Sequence, residues 1–336
     1  MHFFKNTISV FFILFIFSII GCITETEKPP PPENKPTPAV PKFNRDSAFS
    51  FVEKQVAFGP RLPNMPSHVA TKNWLVKKFE GYGLKVTEQP FKVKAYTGTE
   101  LNCFNIIAQY NPAASTRILL AAHWDTRHIA DSELSTERRD EPILGADDGG
   151  SGVGVIMEIA RQLQANPTDI GVDFILFDAE DHGDNESADS KPESWALGSQ
   201  HWSRNMVPAG YRPKYAILLD MVGARNTKFL KEAYSMNFAP QLVNKVWALG
   251  QELGYGRFFV NETAGGITDD HFFVNTIAKI PMIDIIGTPK PAGTNNAFGK
   301  HWHTHNDNMD VIDIRTLRAV GQTMLTMIYR EAAGTF

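Results

Sequence analysis

From Phe43 onward, short apolar runs alternate with longer segments whose apolar residues recur at helical spacing. Continuous apolar runs of this length are typical of strands that are buried on both faces of a parallel sheet. They are predicted at 105–109, 117–121, 173–177, 215–219 and 281–286, with helices at 67–82, 153–163, 239–253 and 317–328. This order predicts an α/β fold, a three-layer α/β/α sandwich around a central mixed, mostly parallel sheet.

The N-terminus has the pattern of an export signal. Lys5 precedes an apolar run, 8–20, that ends at Gly21-Cys22. This run is shorter than the roughly twenty residues that a spanning helix needs, so 1–21 is predicted to be a signal peptide. The tetrapeptide 19–22 resembles a bacterial lipobox, which implies cleavage before Cys22 and acylation of its sulfur. The alternative is an ordinary secretory signal with an incidental cysteine.

Residues 22–42 are rich in proline and charged residues, with four consecutive prolines at 29–32. Such sequence favours extended polyproline II and does not pack a core, so it is interpreted as a semi-rigid tether. A proline-rich recognition peptide is the alternative. The folded domain is assigned to 43–336.

Composition excludes several classes of protein. The chain is 43% hydrophobic, enough for a sizeable core, and its net charge of −4 leaves no basic surplus. Nucleic acid is therefore not expected as a partner, because binding to it depends on neutralising phosphates. Two cysteines are too few for a disulfide framework or a cysteine-rich zinc module, and Cys103 is interpreted as a small buried hydrophobic residue.

Acidic and imidazole side chains follow the predicted strands. In open α/β sheets, ligands bind outside the carboxyl ends of the strands. The residues at these positions are His123, Asp125, Asp178, Glu180, Asp181, Asp220, His301, His303 and His305, and Asp148 precedes the helix at 153–163. Five separate segments therefore bring carboxylates or imidazoles to one edge of the sheet.

Carboxylates that gather without Lys or Arg repel one another, and a divalent cation removes that repulsion. An imidazole among them favours zinc over magnesium or calcium, which prefer oxygen ligands. Asp148, Asp181 and His303 supply three ligands with an open fourth position, the arrangement of a catalytic zinc site. Glu180 adjoins a ligand and is placed to shuttle protons.

Two neighbouring features have other interpretations. Asp147 is interpreted as a turn or N-cap residue outside the site, the commoner role of an aspartate at this kind of position. On an extended segment, His301, His303 and His305 share one face and form a three-histidine metal site. Trp302 and the sequence at 306–307 instead suggest a loop, in which one histidine is sufficient.

Several of these segments resemble known proteins. The segments 123–125, 145–148, 177–181, 219–220 and 303–304 resemble the zinc exopeptidase clan, which includes the co-catalytic-zinc aminopeptidases. Within that clan, Asp-Asp-His at 269–271, Trp-His-Thr at 302–304, and the segments 197–201 and 218–224 are closer to the glutaminyl cyclases. The resemblance runs from about residue 49 to about residue 333.

The resemblance implies an activity and a set of roles. The activity is zinc-dependent conversion of N-terminal glutamine to pyroglutamate with release of ammonia, so the expected partners are peptides and proteins that begin with glutamine. The implied roles are one zinc per chain on Asp148, Asp181 and His303, acid/base catalysis by Glu180, a supporting hydrogen-bond network through Asp220 and Asp269, and a substrate wall of Trp302 and Trp195.

Two positions depart from a simple transfer of roles. The second metal ligand is usually Glu in the clan, whereas Asp181 is one methylene shorter, so either the backbone moves inward or the metal is held more loosely. His123 corresponds to a ligand of the other ion in a two-zinc peptidase, while cyclases keep this residue without metal.

Two other functions remain open. A two-zinc aminopeptidase would use His123, Asp148, Asp181, Asp220 and His303, with Glu180 activating a water. A non-catalytic surface lipoprotein that captures peptide N-termini is the other alternative, although binding alone does not need Glu180. In every case we expect an exported bacterial lipoprotein, membrane-anchored and facing the periplasm or the cell surface, with a monomer favoured.

Replacing the proposed lipidated cysteine tests the anchor. During growth with a radioactive fatty acid, the wild-type protein is expected to take up label and C22A is not, because the acceptor sulfur is gone. Equal labelling of the two proteins would rule out acylation at this position.

Overall fold

The chain is described here by a computed structural model covering residues 39–185, 191–288 and 298–336. Its strands are β1 (Lys85–Lys94), β2 (Glu100–Tyr110), β3 (Arg117–His123), β4 (Gly171–Phe177), β5 (Ala216–Asp220), β6 (Phe229–Lys231), β7 (Phe259–Thr263) and β8 (Met282–Ile286). Its helices are α1 (Arg45–Val56), α2 (Pro66–Gly81), α3 (Gly150–Ala165), α4 (Leu197–Arg204), α5 (Ala233–Phe238), α6 (Pro240–Glu252), α7 (Asp270–Phe273) and α8 (Ile314–Ala332).

The main sheet has six strands in the order β1-β2-β4-β3-β5-β8. Pairing is parallel from β4 through β3 and β5 to β8, and β2 pairs antiparallel with both β1 and β4. The carboxyl ends of the four parallel strands therefore meet at one edge. A separate two-stranded sheet joins β6 and β7.

Alternate residues of the central strands enter two different cores. In β3, Ile118, Leu120 and Ala122 pack with residues of α1, α2, α3, α6 and α8. Leu119 and Ala121 pack on the opposite face, with Trp202 of α4 and the turn after α7. Helices cover both faces of the sheet, which confirms the predicted three-layer fold and explains why these strands are apolar throughout.

The predicted elements are confirmed, whereas several observed ones were not predicted. All five predicted strands and all four predicted helices lie within or overlap observed elements. Helices α1, α4, α5 and α7, the strand β1 and the β6–β7 pair are additional. Strand β1 contains Pro90 and pairs on one side only, with β2, which is the edge position where a sheet tolerates proline.

A close approach between α3 and β5 places two site segments side by side. A Cβ on Gly152 of α3 would lie 2.0 Å from the carbonyl oxygen of Leu219, so only glycine fits at this contact. Asp220 follows directly, and it therefore lies beside the start of α3. Cys103, in β2, is a free, buried thiol, as predicted.

The domain makes contacts from just before the predicted boundary at residue 43. The carbonyl of Pro41 accepts a hydrogen bond from the Gln322 side chain of α8, and the ring of Phe43 packs against Gly321. The predicted signal peptide, Cys22 and most of the predicted tether lie outside the described residues. Among the residues that are described, no helix has both the length and the apolar character needed to cross a bilayer.

Candidate metal centre and active site

A pocket of about 330 Å³ opens at the carboxyl edge of the parallel strands. Its wall includes the five carboxyl groups and one imidazole of Asp148, Glu180, Asp181, Asp220, Asp269 and His303, together with the rings of Trp195, Phe298 and Trp302. None of the described residues that line it is Lys or Arg. The described part of the pocket wall therefore concentrates acidic groups without a lysine or an arginine among them.

The three predicted metal ligands converge. One ligand atom from each of Asp148, Asp181 and His303 lies within 4.8 Å of the other two. His303 Nε2 is 3.1 Å from Asp181 Oδ1 and 3.8 Å from Asp148 Oδ2, and all three side chains are buried. The shorter side chain of Asp181 thus reaches the same point as its partners.

Two further aspartates hold the backbone of the carboxylate ligands. Asp125 accepts hydrogen bonds from the backbone N–H groups of Glu180 and Asp181, at 3.0 and 3.1 Å. Asp307 accepts in the same way from Asp147 and Asp148, at 2.7 and 3.1 Å. Each ligand segment is therefore fixed through a pair of consecutive N–H groups, which sets where Asp181 points despite its shorter side chain.

The third ligand is oriented through its other ring nitrogen. His303 Nδ1 lies 2.8 Å from Asp131 Oδ1. When the imidazole donates from Nδ1 to this carboxylate, the lone pair of Nε2 faces Asp148 and Asp181. A carboxylate–histidine pair of this kind commonly fixes the tautomer of a metal ligand.

Several site residues have left-handed backbone conformations. Ala179, Ala196, Met221 and His303 have φ between +46° and +54°. Residues other than glycine adopt this conformation at a cost of about 1–3 kcal/mol each, and they do so where the surrounding structure requires it. These four residues lie beside the ends of β4 and β5 and the predicted metal ligands. Their strained backbone therefore turns the chain so that the neighbouring site side chains are directed into the pocket.

Glu180 is the acid/base candidate, and its side chain lines the pocket beside the metal ligand Asp181. Burial raises the pKa of Glu180 well above its ordinary value, and the charges of Asp269 and Asp181 raise it further. His123 acts in the opposite direction. Glu180 therefore holds a proton more readily than an exposed glutamate does.

The other pocket carboxyl groups are shifted in the same direction. Burial raises the pKa of Asp220 to about 8 even though His123 lowers it, and burial also raises the pKa of Asp269. Burial raises the pKa of Asp181 to about 6, with a contribution from the charge of Asp148. A bound cation would remove the repulsion between these two ligands.

His123 bridges two carboxylates at the end of β3. Its Nε2 is 2.9 Å from Asp148 Oδ1 and 3.2 Å from Asp220 Oδ1. Burial lowers the pKa of His123, but hydrogen bonds to Asp125, Asp148 and Asp220 outweigh this and leave the pKa well above its ordinary value. A protonated Nε2 would satisfy both carboxylates. His123, Asp148 and Asp220 also lie close enough to one another to hold a metal ion.

A buried polar cluster lies behind Asp269. Asp269 caps α7 through Oδ1, and one of its carboxylate oxygens lies within 4.8 Å of potential ligand atoms of His271 and Asp284. Glu232 pairs with His271 Nε2 at 3.0 Å. Burial raises the pKa of Asp284 well above its ordinary value, and nearby carboxylates, Asp269 first, add to this. Asp284 thus favours holding a proton beside Asp269.

Aromatic rings form the mouth of the pocket. Trp302 stacks on the imidazole of His303 with 3.7 Å between ring centroids, and Trp195 lies nearly parallel to the same imidazole at 6.2 Å. Phe298 packs against Trp302 at 4.9 Å. Both predicted wall residues therefore border the metal ligand.

The remaining predictions at these residues are resolved by the geometry. His301 pairs with Asp147 at 2.8 Å and His305 with the carbonyl of Arg138 at 3.0 Å, so the three-histidine site is wrong and the loop interpretation holds. Asp147 lies in the turn before α3, which is one of its two predicted roles, but it does not cap the helix. Helix α3 begins after Gly149, and the Asp147 carboxylate instead accepts the backbone N–H of Gly223.

The donor set fits zinc. Two carboxylates and one imidazole with a paired Nδ1 match the ligand types of mononuclear zinc sites. Asp181 Oδ2 is buried and has no hydrogen-bond partner among the described residues, which is costly for a carboxylate unless a cation or a proton compensates it. Asp148, Asp181 and His303 are accordingly the residues that would hold the ion.

Some participating residues were not assigned from the sequence. Asp125 was noted at a strand end without a role, and Asp284 carries a visible signal because it interrupts the buried apolar run of β8. Asp131 and Asp307 lie in loops, and their contacts become apparent only once the chain is folded.

Comparison with known proteins places this geometry in context. Residues 105–328 match the sequence model of peptidase family M28. A crystal structure of Bacteroides thetaiotaomicron glutaminyl cyclase bound to N-acetylhistamine has 48% sequence identity and a TM-score of 0.83, covering 87% of this chain and 99% of that one.

Two further relatives show the range of named activities. A Zn-dependent exopeptidase from Parabacteroides distasonis has 46% identity and a TM-score of 0.84, covering 87% of this chain and 99% of that one. The glutaminyl-peptide cyclotransferase of Gloydius blomhoffii is 25% identical over 293 residues, which span 76% of this chain and 73% of the relative. These similarities confirm the resemblance to glutaminyl cyclases of the zinc exopeptidase clan.

Removing the imidazole ligand tests the metal centre. H303A is expected to retain well below one zinc per chain after dialysis, because two carboxylates alone bind zinc weakly. The matched control is H305A, two residues along the same loop, which should keep the wild-type content measured by elemental analysis. Unchanged zinc content in H303A would show that His303 is not a zinc ligand and that the metal binds elsewhere.

Proposed function

This chain belongs to peptidase family M28, and we propose that within this family it is a zinc-dependent glutaminyl-peptide cyclotransferase. The observation that carries the proposal is the position of Glu180, which is buried beside a two-carboxylate, one-imidazole ligand set within a pocket lined by tryptophans. The similarity to solved bacterial glutaminyl cyclases over most of the chain supports it.

The proposed reaction closes a ring within one residue. The α-amino nitrogen of an N-terminal glutamine attacks the carbon of its own side-chain carboxamide, a new C–N bond forms, and the bond to the amide nitrogen breaks to release ammonia. Nucleophile and electrophile belong to the same residue, so the enzyme needs only to hold them in a reactive geometry. A bound zinc on Asp148, Asp181 and His303 supplies Lewis-acid polarisation of the side-chain carbonyl.

Glu180 moves the proton. In its ionised form it accepts a proton from the attacking amine, and in its protonated form it returns that proton to the departing nitrogen. Its burial supports this role, because a carboxyl group with a raised pKa is a stronger base when ionised than an exposed glutamate is. General acid–base catalysis of this kind contributes roughly 10²–10⁴-fold in rate.

Asp220 and Asp269 are assigned to the hydrogen-bond network around the reacting groups. Both line the pocket and both have raised pKa values, so each favours keeping a proton that it can donate. Asp284 stands behind Asp269, and its contact with that carboxyl group lowers the pKa of Asp269, although burial outweighs this effect. A protonated carboxyl group can bind the leaving amide without adding negative charge to the pocket.

Trp195 and Trp302 are assigned to the substrate wall. Their rings flank the imidazole of His303 and leave a slot of limited volume. A small, largely apolar slot favours a single terminal residue over an extended chain.

The second candidate is a two-zinc aminopeptidase. The grouping of His123, Asp148 and Asp220 within reach of a common point favours it, because these residues would hold the additional ion. Against this candidate stands the similarity to solved bacterial glutaminyl cyclases, a resemblance that implies that His123 is kept without metal. We therefore assign one zinc per chain.

The proposed setting is outside the cytoplasm. The export signal, the lipidation at Cys22 and the tether interpreted from the sequence together favour an anchored lipoprotein that acts on peptides and proteins beginning with glutamine. A monomer is proposed as the working unit.

Removing the charge of the acid/base residue tests the mechanism. E180Q is expected to keep its zinc but to lose at least about 100-fold in ammonia release from a glutaminyl peptide, because the amide cannot relay a proton. E193Q, at an exposed glutamate near the pocket mouth, is the matched control and should retain wild-type activity. More than about a tenth of the wild-type rate in E180Q would remove Glu180 from the mechanism.

A further inference from the structure

A buried ion pair, Arg127–Asp131, lies directly behind the pocket, and neither residue belongs to the proposed catalytic set. The guanidinium of Arg127 contacts both oxygens of Asp131, from Nε at 3.2 Å and from an Nη at 2.5 Å. Both side chains are essentially inaccessible to solvent. Burying two charged groups is costly unless their remaining hydrogen-bond capacity is used, so the other contacts of the pair are informative.

The carboxylate end of the pair reaches the metal centre. Asp131 Oδ1, which accepts from Arg127 Nε, also lies 2.8 Å from His303 Nδ1. The backbone N–H of the next residue, Ser132, donates to the carbonyl of His303 at 3.2 Å. The segment that carries Asp131 therefore holds both the ring and the backbone of the imidazole ligand, which has a left-handed conformation.

The guanidinium end reaches the second ligand. The other Nη of Arg127 donates to the backbone carbonyl of Asp181 at 2.9 Å and to that of Gly183 at 2.8 Å. The same nitrogen lies 3.8 Å from Asp181 Oδ1. These contacts hold the chain segment that must bring the short Asp181 side chain to the metal point.

The flat face of the guanidinium supports the substrate wall. Arg127 Cζ lies 4.8 Å from the ring centroid of Trp195. On the same indole, a Cβ added to Gly183 would lie 2.0 Å from Trp195 Cδ2, so the ring packs directly on the backbone that Arg127 holds. Arginine suits this position because its planar fork binds carbonyls and stacks on rings at the same time.

The charges of these groups are balanced as two sets. Zinc bound by Asp148 and Asp181 would form a neutral set, and Arg127 with Asp131 forms another. Without Arg127, Asp131 would add one more buried negative charge next to an acidic pocket. The ion pair thus allows a carboxylate to orient His303 without adding net charge to the site.

We propose that Arg127 and Asp131 are positioning residues that act as one unit, which holds the metal ligands His303 and Asp181 and the indole of Trp195 in a fixed relation. The inference rests on the proposed zinc site, and its prediction for substrate binding also rests on the proposed reaction. It predicts that zinc affinity and substrate binding both depend on an ion pair that touches neither zinc nor substrate.

The test is zinc affinity, measured by titrating metal-free protein in competition with a chromogenic chelator. D131N is expected to raise the zinc dissociation constant at least tenfold, within the range of about 10–100-fold typical for lost partners of metal ligands. R127K keeps a positive charge but loses the planar fork. It is expected to raise the dissociation constant severalfold and also to raise KM for a glutaminyl peptide.

A second ion pair, with a buried carboxylate and a partly buried guanidinium, provides the control. Arg117 binds Asp173 through two nitrogens at the opposite end of β3 and β4, away from the pocket. D173N should lower the melting temperature of the metal-free protein and leave the zinc dissociation constant within about threefold of wild type. This comparison separates positioning of the ligands from general stability of the fold.

The outcomes separate the two proposals. Wild-type protein that binds no zinc at this site would contradict the proposed metal centre. Zinc affinity within threefold of wild type in D131N would overturn the positioning role while leaving the metal centre standing. If D131N does not yield folded protein, R127K is used to test the positioning role in its place. Wild-type values of both zinc affinity and KM in R127K would then overturn the inference.

Discussion

The repulsion among five carboxyl groups in one buried pocket is the constraint on which the rest of the site depends. Left as ionised groups without a cation, they would oppose folding at the place where the strands end. The structure compensates through protons held by residues with raised pKa values such as Asp220, through the imidazole of His123 and, in our account, through zinc. The proposed acid/base role of Glu180 and the proposed zinc site both depend on this arrangement.

Geometry is imposed on these groups from outside the pocket. Asp125 and Asp307 each bind two consecutive backbone N–H groups, and Asp131 binds the ring of His303. Strained backbone at Ala179 and Met221 turns the chain sharply after β4 and β5. Further aspartates around the pocket thus hold the acidic groups in place. They add to the carboxylates that are buried in this one region, although the net charge of the whole chain is only −4.

Much of this could be predicted from the sequence because the parallel strands are apolar throughout and their carboxyl ends must meet. The convergence of Asp148, Asp181 and His303 follows from that topology. Strand β1 was missed because Pro90 weakens the strand pattern, and its edge position becomes clear only in the sheet. Asp131 could not be assigned because its partner His303 lies 172 residues further along the chain, a pairing that no local pattern encodes.

The central claim is that this pocket closes a ring on glutamine and does not hydrolyse peptide bonds. The most direct measurement offers glutaminyl and leucyl arylamides to zinc-loaded protein in parallel and quantifies ammonia and free arylamine. The account predicts ammonia from the glutaminyl compound, with the arylamide bond left intact, and neither product from the leucyl compound. Release of free arylamine from the leucyl compound, without ammonia from the glutaminyl one, would contradict the account and identify an aminopeptidase.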